Sequence, residues 1–199
     1  HTLINIEGKR NEKLLAYSVN YSAITEETNG LIFAVKGIFG HYPGRFSIDP
    51  YYQKVQQYSD LSMRDIWEYN LNLTPDEVRN LMLHLCELKD AYSDYYFFKE
   101  NCSYNLLFLL DAARPGSALV DQFKHWVIPV DTIKTVRNNH FIDSEHYRCS
   151  RSTTIKRIAS PLPHALQERS IAAAQSDAAS IELTKSLNNR DDKIRTLDL

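Results

Sequence analysis

The sequence predicts an α+β protein, an antiparallel sheet packed against helices. Three observations predict it. The chain opens with two β-patterned segments that read as a hairpin. Residues 67–73 alternate strictly between apolar and polar side chains. Two later segments carry a helix start signal followed by an apolar face.

The elements follow in order. Residues 1–6 (HTLINI) alternate, EGKRNEK is a polar turn, and residues 14–23 (LLAYSVNYSA) resume the β pattern. This makes a hairpin with its turn near residues 9 and 10. Residues 31–46 (LIFAVKGIFGHYPGRF) read as a strand running into a loop with three glycines and a proline. In 67–73, Trp67, Tyr69, Leu71 and Leu73 alternate with Glu68, Asn70 and Asn72, the pattern of a half-buried strand. Arg64 and Asp65 precede it as a candidate ion pair.

Thr74 is then an N-cap, Pro75 sits at the first helical position and Glu77 completes a capping box. Val78, Leu81, Met82, Leu85 and Leu88 keep one apolar face, with Cys86 at its flank as a buried structural thiol. Residues 91–98 (AYSDYYFF) are extended or turn. Asn101 caps the next helix, whose buried stripe is Leu106, Leu109, Leu110 and Ala113, and Arg114-Pro115-Gly116 ends it. Residues 117–142 hold two short elements around Ile128-Pro129. From residue 145 Ser, Arg, Thr and Ala rise, and aromatics vanish after Tyr147. The reading is a compact domain over 1–144 and an appendage or linker over 145–199, with one or two polar helices within 165–187.

Composition narrows the function classes. The chain has 199 residues, 43% apolar, with formal net charge −2 and no basic run, which argues against a nucleic-acid partner. No apolar stretch is long enough to span a bilayer. The first residue, His1, lies inside a strand-like pattern, as expected of a sequence that begins partway into a longer polypeptide. The three cysteines, Cys86, Cys102 and Cys149, show no C-x-x-C spacing, so no metal or cofactor is expected.

Chemistry enters with residues 97–116 (FFKENCSYNLLFLLDAARPG), which place Cys102 at or near the first position of its helix. A helix N-terminus and a neighbouring imidazolium both depress a thiol pKa. The N–H groups of the first turn can also hold an oxyanion. From the residues alone, a buried structural cysteine and a nucleophile both stand. Spacing selects no histidine partner. His41 lies in the Gly/Pro loop and His84 mid-helix; His125, His140, His146 and His164 lie downstream. His1 shares a strand face with Leu3.

Six motifs in order then carry a resemblance: HTLINI, LLAYSVNYSA, VKGIFGHYPGRFS, PYYQKVQQY, MRDIWEYNLNLTPDE and YYFFKENCSYNLLFLLDAARPG. Over residues 1 to about 145 the chain resembles the Lnb N-terminal periplasmic domain (DUF4105) family. That family is similar to the permuted branch of the papain-like NlpC/P60 enzymes, in which the histidine strand precedes the cysteine helix. The resemblance implies a permuted papain-like fold with Cys102 as nucleophile and His1 as general base. The family often has Phe where Leu3 stands here, a mild departure. A third polar residue orients the imidazole, and Asn20 is favoured over Ser18. Candidate substrate-binding residues are Tyr104, Asn101, Arg64 and Tyr42. Arg64 either pairs with Asp65 or meets a lipid phosphate.

The resemblance further implies lipoprotein N-acylation in the bacterial periplasm. An acyl chain moves from a phospholipid to the amino terminus of a lipoprotein through a Cys102 thioester, with membrane association through segments outside this chain. Within 31–52, the side chains of Phe33, Ile38, Phe39, Tyr42, Phe46, Tyr51 and Tyr52 either face lipid or close the core. Two alternatives stay open: a cell-wall amidase or peptidase, and a non-catalytic binding module with a structural cysteine.

Overall fold

A computed structural model of the protein describes residues 1–8 and 13–187. The expected hairpin turn at residues 9 and 10 lies outside the described residues. In chain order the regular elements are β1 (Ile4–Ile6), β2 (Tyr17–Ala23), α1 (Gly30–Ile38), β3 (Tyr42–Pro50), α2 (Tyr51–Val55), β4 (Ile66–Leu71) and α3 (Pro75–Glu87). They continue with β5 (Ser93–Tyr95), α4 (Cys102–Ala113), α5 (Pro129–Asn138), β6 (Ile142–Arg148), α6 (Arg151–Ala159), α7 (His164–Ala174) and α8 (Asp177–Ser186). The fold is α+β with antiparallel pairing throughout the larger sheet. The chain divides into two compact units, residues 1–54 with 68–146, and residues 55–67 with the chain from Tyr147 onward.

The first unit is built on a four-stranded sheet of order β1-β2-β3-β5. Its centre is the β2–β3 ladder, seven residue pairs from Tyr17↔Pro50 to Ala23↔Gly44. The edge strand β1 adds three, Ile4↔Val19, Asn5↔Ser18 and Ile6↔Tyr17. Behind the sheet lies α4, packed against β2, α3 and α5. The core gathers Leu106, Leu107, Leu109 and Leu110 of α4 with Leu81 and Leu85 of α3, Val19 of β2 and Phe141. Burying these aliphatic side chains is the main drive for assembling sheet and helices.

Local signals fix both core helices. The Thr74 Oγ1 accepts from the Glu77 N–H at 3.3 Å while Glu77 Oε2 accepts from the Thr74 N–H at 2.7 Å, a complete capping box. Glu77 also receives Arg114 Nε at 2.5 Å, and the Arg114 guanidinium lies 4.1 Å from the centre of the Phe141 ring. The end of α4 is thereby tied to the start of α3. The Arg114 hydrogen bond is the main reason the Glu77 carboxyl is lowered to about 2.

Segment 31–46 departs from the sequence reading: its first half is a helix and its second half a strand. Asn29 Oδ1 accepts from the N–H groups of Leu31 and Ile32 at 3.0 and 3.3 Å, which nucleates α1 despite its β-branched and aromatic residues. Phe33 stacks near Tyr42 and Phe97, and Gly37 leaves room for the Phe97 ring that a Cβ would occupy. The Gly/Pro stretch that reads as a loop becomes β3. Its Gly44 is matched to the Tyr21 ring, and partners on both sides satisfy the strand. Two further expectations are corrected by burial. Cys86 is exposed rather than a buried thiol, because it points off the Leu81–Leu85 face. Tyr42 and Tyr51 are buried and cannot face lipid.

The second unit contains a π-helical turn over Gln56–Leu61 and the helices α6, α7 and α8. Ser150 caps α6, its Oγ accepting from the Thr153 N–H at 3.2 Å. Asp65 is engaged here and not by Arg64. Its carboxylate accepts from the Ser150 N–H at 2.9 Å and the Tyr147 hydroxyl at 2.8 Å, which holds it well below the usual carboxylate range. Among the described residues no helix is long and apolar enough to cross a membrane.

Candidate functional site

The site forms where the first sheet meets the N-terminus of α4. Asn101 places the cysteine. Its Oδ1 accepts from the N–H groups of Ser103 and Tyr104 at 3.1 and 3.2 Å and from Ser103 Oγ at 2.8 Å. Its Nδ2 donates to the carbonyls of Phe97 at 3.1 Å and Val127 at 2.7 Å. Every polar atom of this buried side chain is therefore spent on the protein, leaving none for a substrate. The same bonds commit two of the first-turn N–H groups expected to hold an oxyanion. Cys102 follows as the first helical residue, 5% exposed.

His1 and Asn20 approach from the sheet. The pairing Ile4↔Val19 carries Leu3 to the level of Asn20, and His1 lies two residues earlier on the same face. Asn20 Oδ1 accepts from His1 Nε2 at 2.5 Å. With Nε2 given to Asn20, Nδ1 is the nitrogen left for the Cys102 thiol, to which the imidazole is hydrogen-bonded. Ser18, the other candidate, lies on the same face but is engaged further along it: its Oγ donates to Asn5 Oδ1 at 2.5 Å. A hairpin turning at residues 9 and 10 would set His1 opposite residues 18 and 19; Asn5 and Ile4 hold those positions instead, and His1 is displaced along the strand.

The electrostatics favour charge separation. Burial pulls the His1 pKa down, but the hydrogen bond and charge of Cys102, with the Asn20 bond, push it above its usual 6.5. Burial raises the Cys102 thiol, yet the His1 hydrogen bond and charge overcome this and bring it below its usual 9.0. The Thr2 backbone and the Tyr95 side chain add to the lowering. The site thus favours a thiolate beside an imidazolium.

Tyr95 escapes the sequence reading. On β5, opposite Tyr42 of β3, it accepts from the Cys102 N–H at 3.2 Å and also hydrogen-bonds the sulfur. Burial first, then the charge of Cys102, holds its phenol well above the usual range. Nothing in AYSDYYFF separates Tyr95 from Tyr92 or Tyr96, since its role comes from a pairing across the sheet. Tyr95 is also part of a series of aromatic contacts. Tyr21 stacks at 5.8 Å, Phe97 meets it edge-on at 6.1 Å, and Phe33 follows at 5.0 Å from Phe97.

The other expected binding residues are dispersed. Tyr104 is half-buried on α4 and packs edge-on against Phe108 at 5.3 Å. Tyr42 is buried beside Phe33. Arg64 is exposed and belongs to the second unit. Among the described residues no group of three or more His, Cys, Asp and Glu side chains is placed to hold a metal ion.

Fold and site together define an α+β protein with a buried cysteine hydrogen-bonded to a histidine that an asparagine of the neighbouring strand holds. The family model of the Lnb N-terminal periplasmic domain matches residues 1–139, and the chain belongs to that family of bacterial periplasmic domains. No curated protein and no solved structure matches the chain.

Proposed function

We propose that the chain is a thiol-dependent acyltransferase of permuted papain-like arrangement, moving an acyl chain from a phospholipid to the α-amine of a lipoprotein. The observation that carries the reading is the pairing of His1 with the buried Cys102 at the start of α4, with Asn20 on the imidazole. Its order along the chain supports the permuted arrangement: the histidine and asparagine hairpin comes first and the cysteine helix after it.

The chemistry runs in two displacements. The Cys102 sulfur attacks the ester carbonyl, and His1 takes the thiol proton. Collapse of the tetrahedral intermediate breaks the ester C–O bond, and His1 delivers its proton to the departing lysophospholipid oxygen. A thioester remains on Cys102. Neutral His1 then takes a proton from the incoming amine as its nitrogen attacks the thioester. The C–S bond breaks, an amide forms, and the imidazolium–thiolate pair is restored. The Cys102 N–H and the Tyr95 hydroxyl are the donors at hand for the oxyanion, once the carbonyl oxygen replaces the bond between them. The aromatic series from Tyr95 to Phe33 supports an acyl chain as the bound group.

The test is intact-mass measurement after incubation with phospholipid. A fatty-acyl adduct on the wild type, absent from Cys102→Ala, is the expected result. An unmodified Cys102 that nevertheless cleaves cell-wall peptides would replace acyl transfer by the amidase reading. A Cys102 inert to both lipid and alkylating agent in the folded protein would make the thiol structural.

A further inference from the structure

The surface beside the site carries an apolar belt that the catalytic reading does not use. On α1, Leu31, Ile32, Val35, Ile38 and Phe39 are all exposed, Leu31 at 76% and Phe39 at 66%. Their spacing of 0, 1, 4, 7 and 8 residues puts them on one helical face. The opposite side of α1 is already packed, through Phe33 and Gly37, on Phe97. A second exposed group is formed by Phe98, Trp126, Ile128 and Val130, with Trp126 71% exposed and 5.5 Å from the Phe98 ring.

Both groups are fastened to the chain that enters the nucleophile. The Phe97 N–H donates to the Gly37 carbonyl of α1 at 2.9 Å. The Val127 N–H donates to the Phe98 carbonyl at 2.9 Å, and Asn101 ties Phe97 and Val127 to the cap of α4. The belt is therefore continuous with the segment that positions Cys102. Exposed apolar groups of this kind, joined through one segment, mark an interaction site. Exposed lysines adjoin each part of it: Lys36 within α1, where it pairs with Glu27 at 3.1 Å, Lys99 after Phe98, and Lys124 before Trp126. Aliphatic side chains with an aromatic anchor and flanking lysines match the boundary of an anionic leaflet, where indole and ammonium groups sit at headgroup level.

We infer that α1 and the Phe98–Trp126–Ile128–Val130 group form a docking face for a phospholipid surface, which seats the entrance to Cys102 on the leaflet holding its acyl donor. The choice of partner rests on the acyltransferase reading; the face itself rests on exposure, charge and continuity.

The experiment uses the full 199-residue chain carrying Cys102→Ala, so that no acyl transfer enters the measurement, and Trp67→Phe, so that Trp126 alone reports. Vesicles of phosphatidylcholine with phosphatidylglycerol should shift Trp126 emission to the blue and carry the protein upward in a flotation gradient. Leu31→Glu with Phe39→Glu should weaken partitioning by about tenfold or more, with an unchanged circular dichroism spectrum because both positions are exposed. Lys99→Gln with Lys124→Gln should weaken it on these vesicles and not on phosphatidylcholine alone. Unchanged emission without flotation would overturn the inference, as would partitioning indifferent to the α1 substitutions. Concentration-dependent dimerisation abolished by the same substitutions would overturn it in favour of a second copy. Failure here leaves the chemistry standing, since adduct formation is read separately with a short-chain phospholipid below its micellar concentration.

Discussion

Asn20→Ala tests the site most sharply, because it removes one acceptor and touches neither the sulfur nor the imidazole. Asn20 is 6% exposed and its Oδ1 lies 2.5 Å from His1 Nε2. A buried hydrogen bond to a charged group is worth about 1.5–3 kcal/mol. At 1.36 kcal/mol per tenfold change, that is roughly 10- to 150-fold in the imidazolium–thiolate population at a fixed pH. The directions are set by the shifts. The Cys102 thiol, brought below 9.0 chiefly by His1 against the upward pull of burial, moves back up when the imidazolium loses its partner. His1, held above 6.5 by Cys102 and Asn20 against the same pull, moves down. The window in which both charges exist therefore narrows from both sides. The assay is the pH dependence of Cys102 alkylation by iodoacetamide, with Cys86 and Cys149 replaced by serine because both are free thiols. The rising limb moves to higher pH in Asn20→Ala, and Asn20→Asp, which restores an acceptor, moves it back. The same Asn20→Ala change should bring the His1 titration to lower pH, read by NMR of the imidazole. A limb that stays in place in Asn20→Ala, or moves instead in Ser18→Ala, would refute the orienting role.

Two other outcomes follow from the described bonds. Tyr95→Phe keeps the ring but removes the hydroxyl on Cys102, so the thiol titrates higher and adduct formation slows by roughly tenfold, the worth of one hydrogen bond; stopped-time intact mass measures it. The Glu77 carboxyl is lowered to about 2 from 4.5, chiefly by Arg114. Its contribution to stability is present above pH 4.5 and is lost as the pH falls toward 2, so Glu77→Gln should flatten the fall in melting temperature across that interval.

Local chemistry was readable in the sequence wherever a short-range rule governed it. The Thr74–Glu77 capping box and the Asn101 cap are completed within a few residues, and both appear as read. Segment 31–46 was unreadable for the opposite reason. The α1 sequence is apolar on nearly every side, which erases helical periodicity, and the glycines of 37–44 serve aromatic rings brought from Phe97, Tyr96 and Tyr21. The site divides the same way. The position of Cys102 follows from its cap, whereas the family motifs, not spacing, led to His1. Tyr95 depends on the pairing of β3 with β5, which no local pattern announces.

His1 and Cys102 are anchored very unequally. Cys102 belongs to the helix at the centre of the core, while His1 leads an edge strand held by three residue pairs against the seven of its neighbour. Edge segments with few contacts open at a lower free energy than the core behind them. Reactivity is therefore tied to the edge strand and not to the whole fold. On warming, the thiol should lose its partner, and with it the fast alkylation by iodoacetamide, while α4 and the central ladder are still intact.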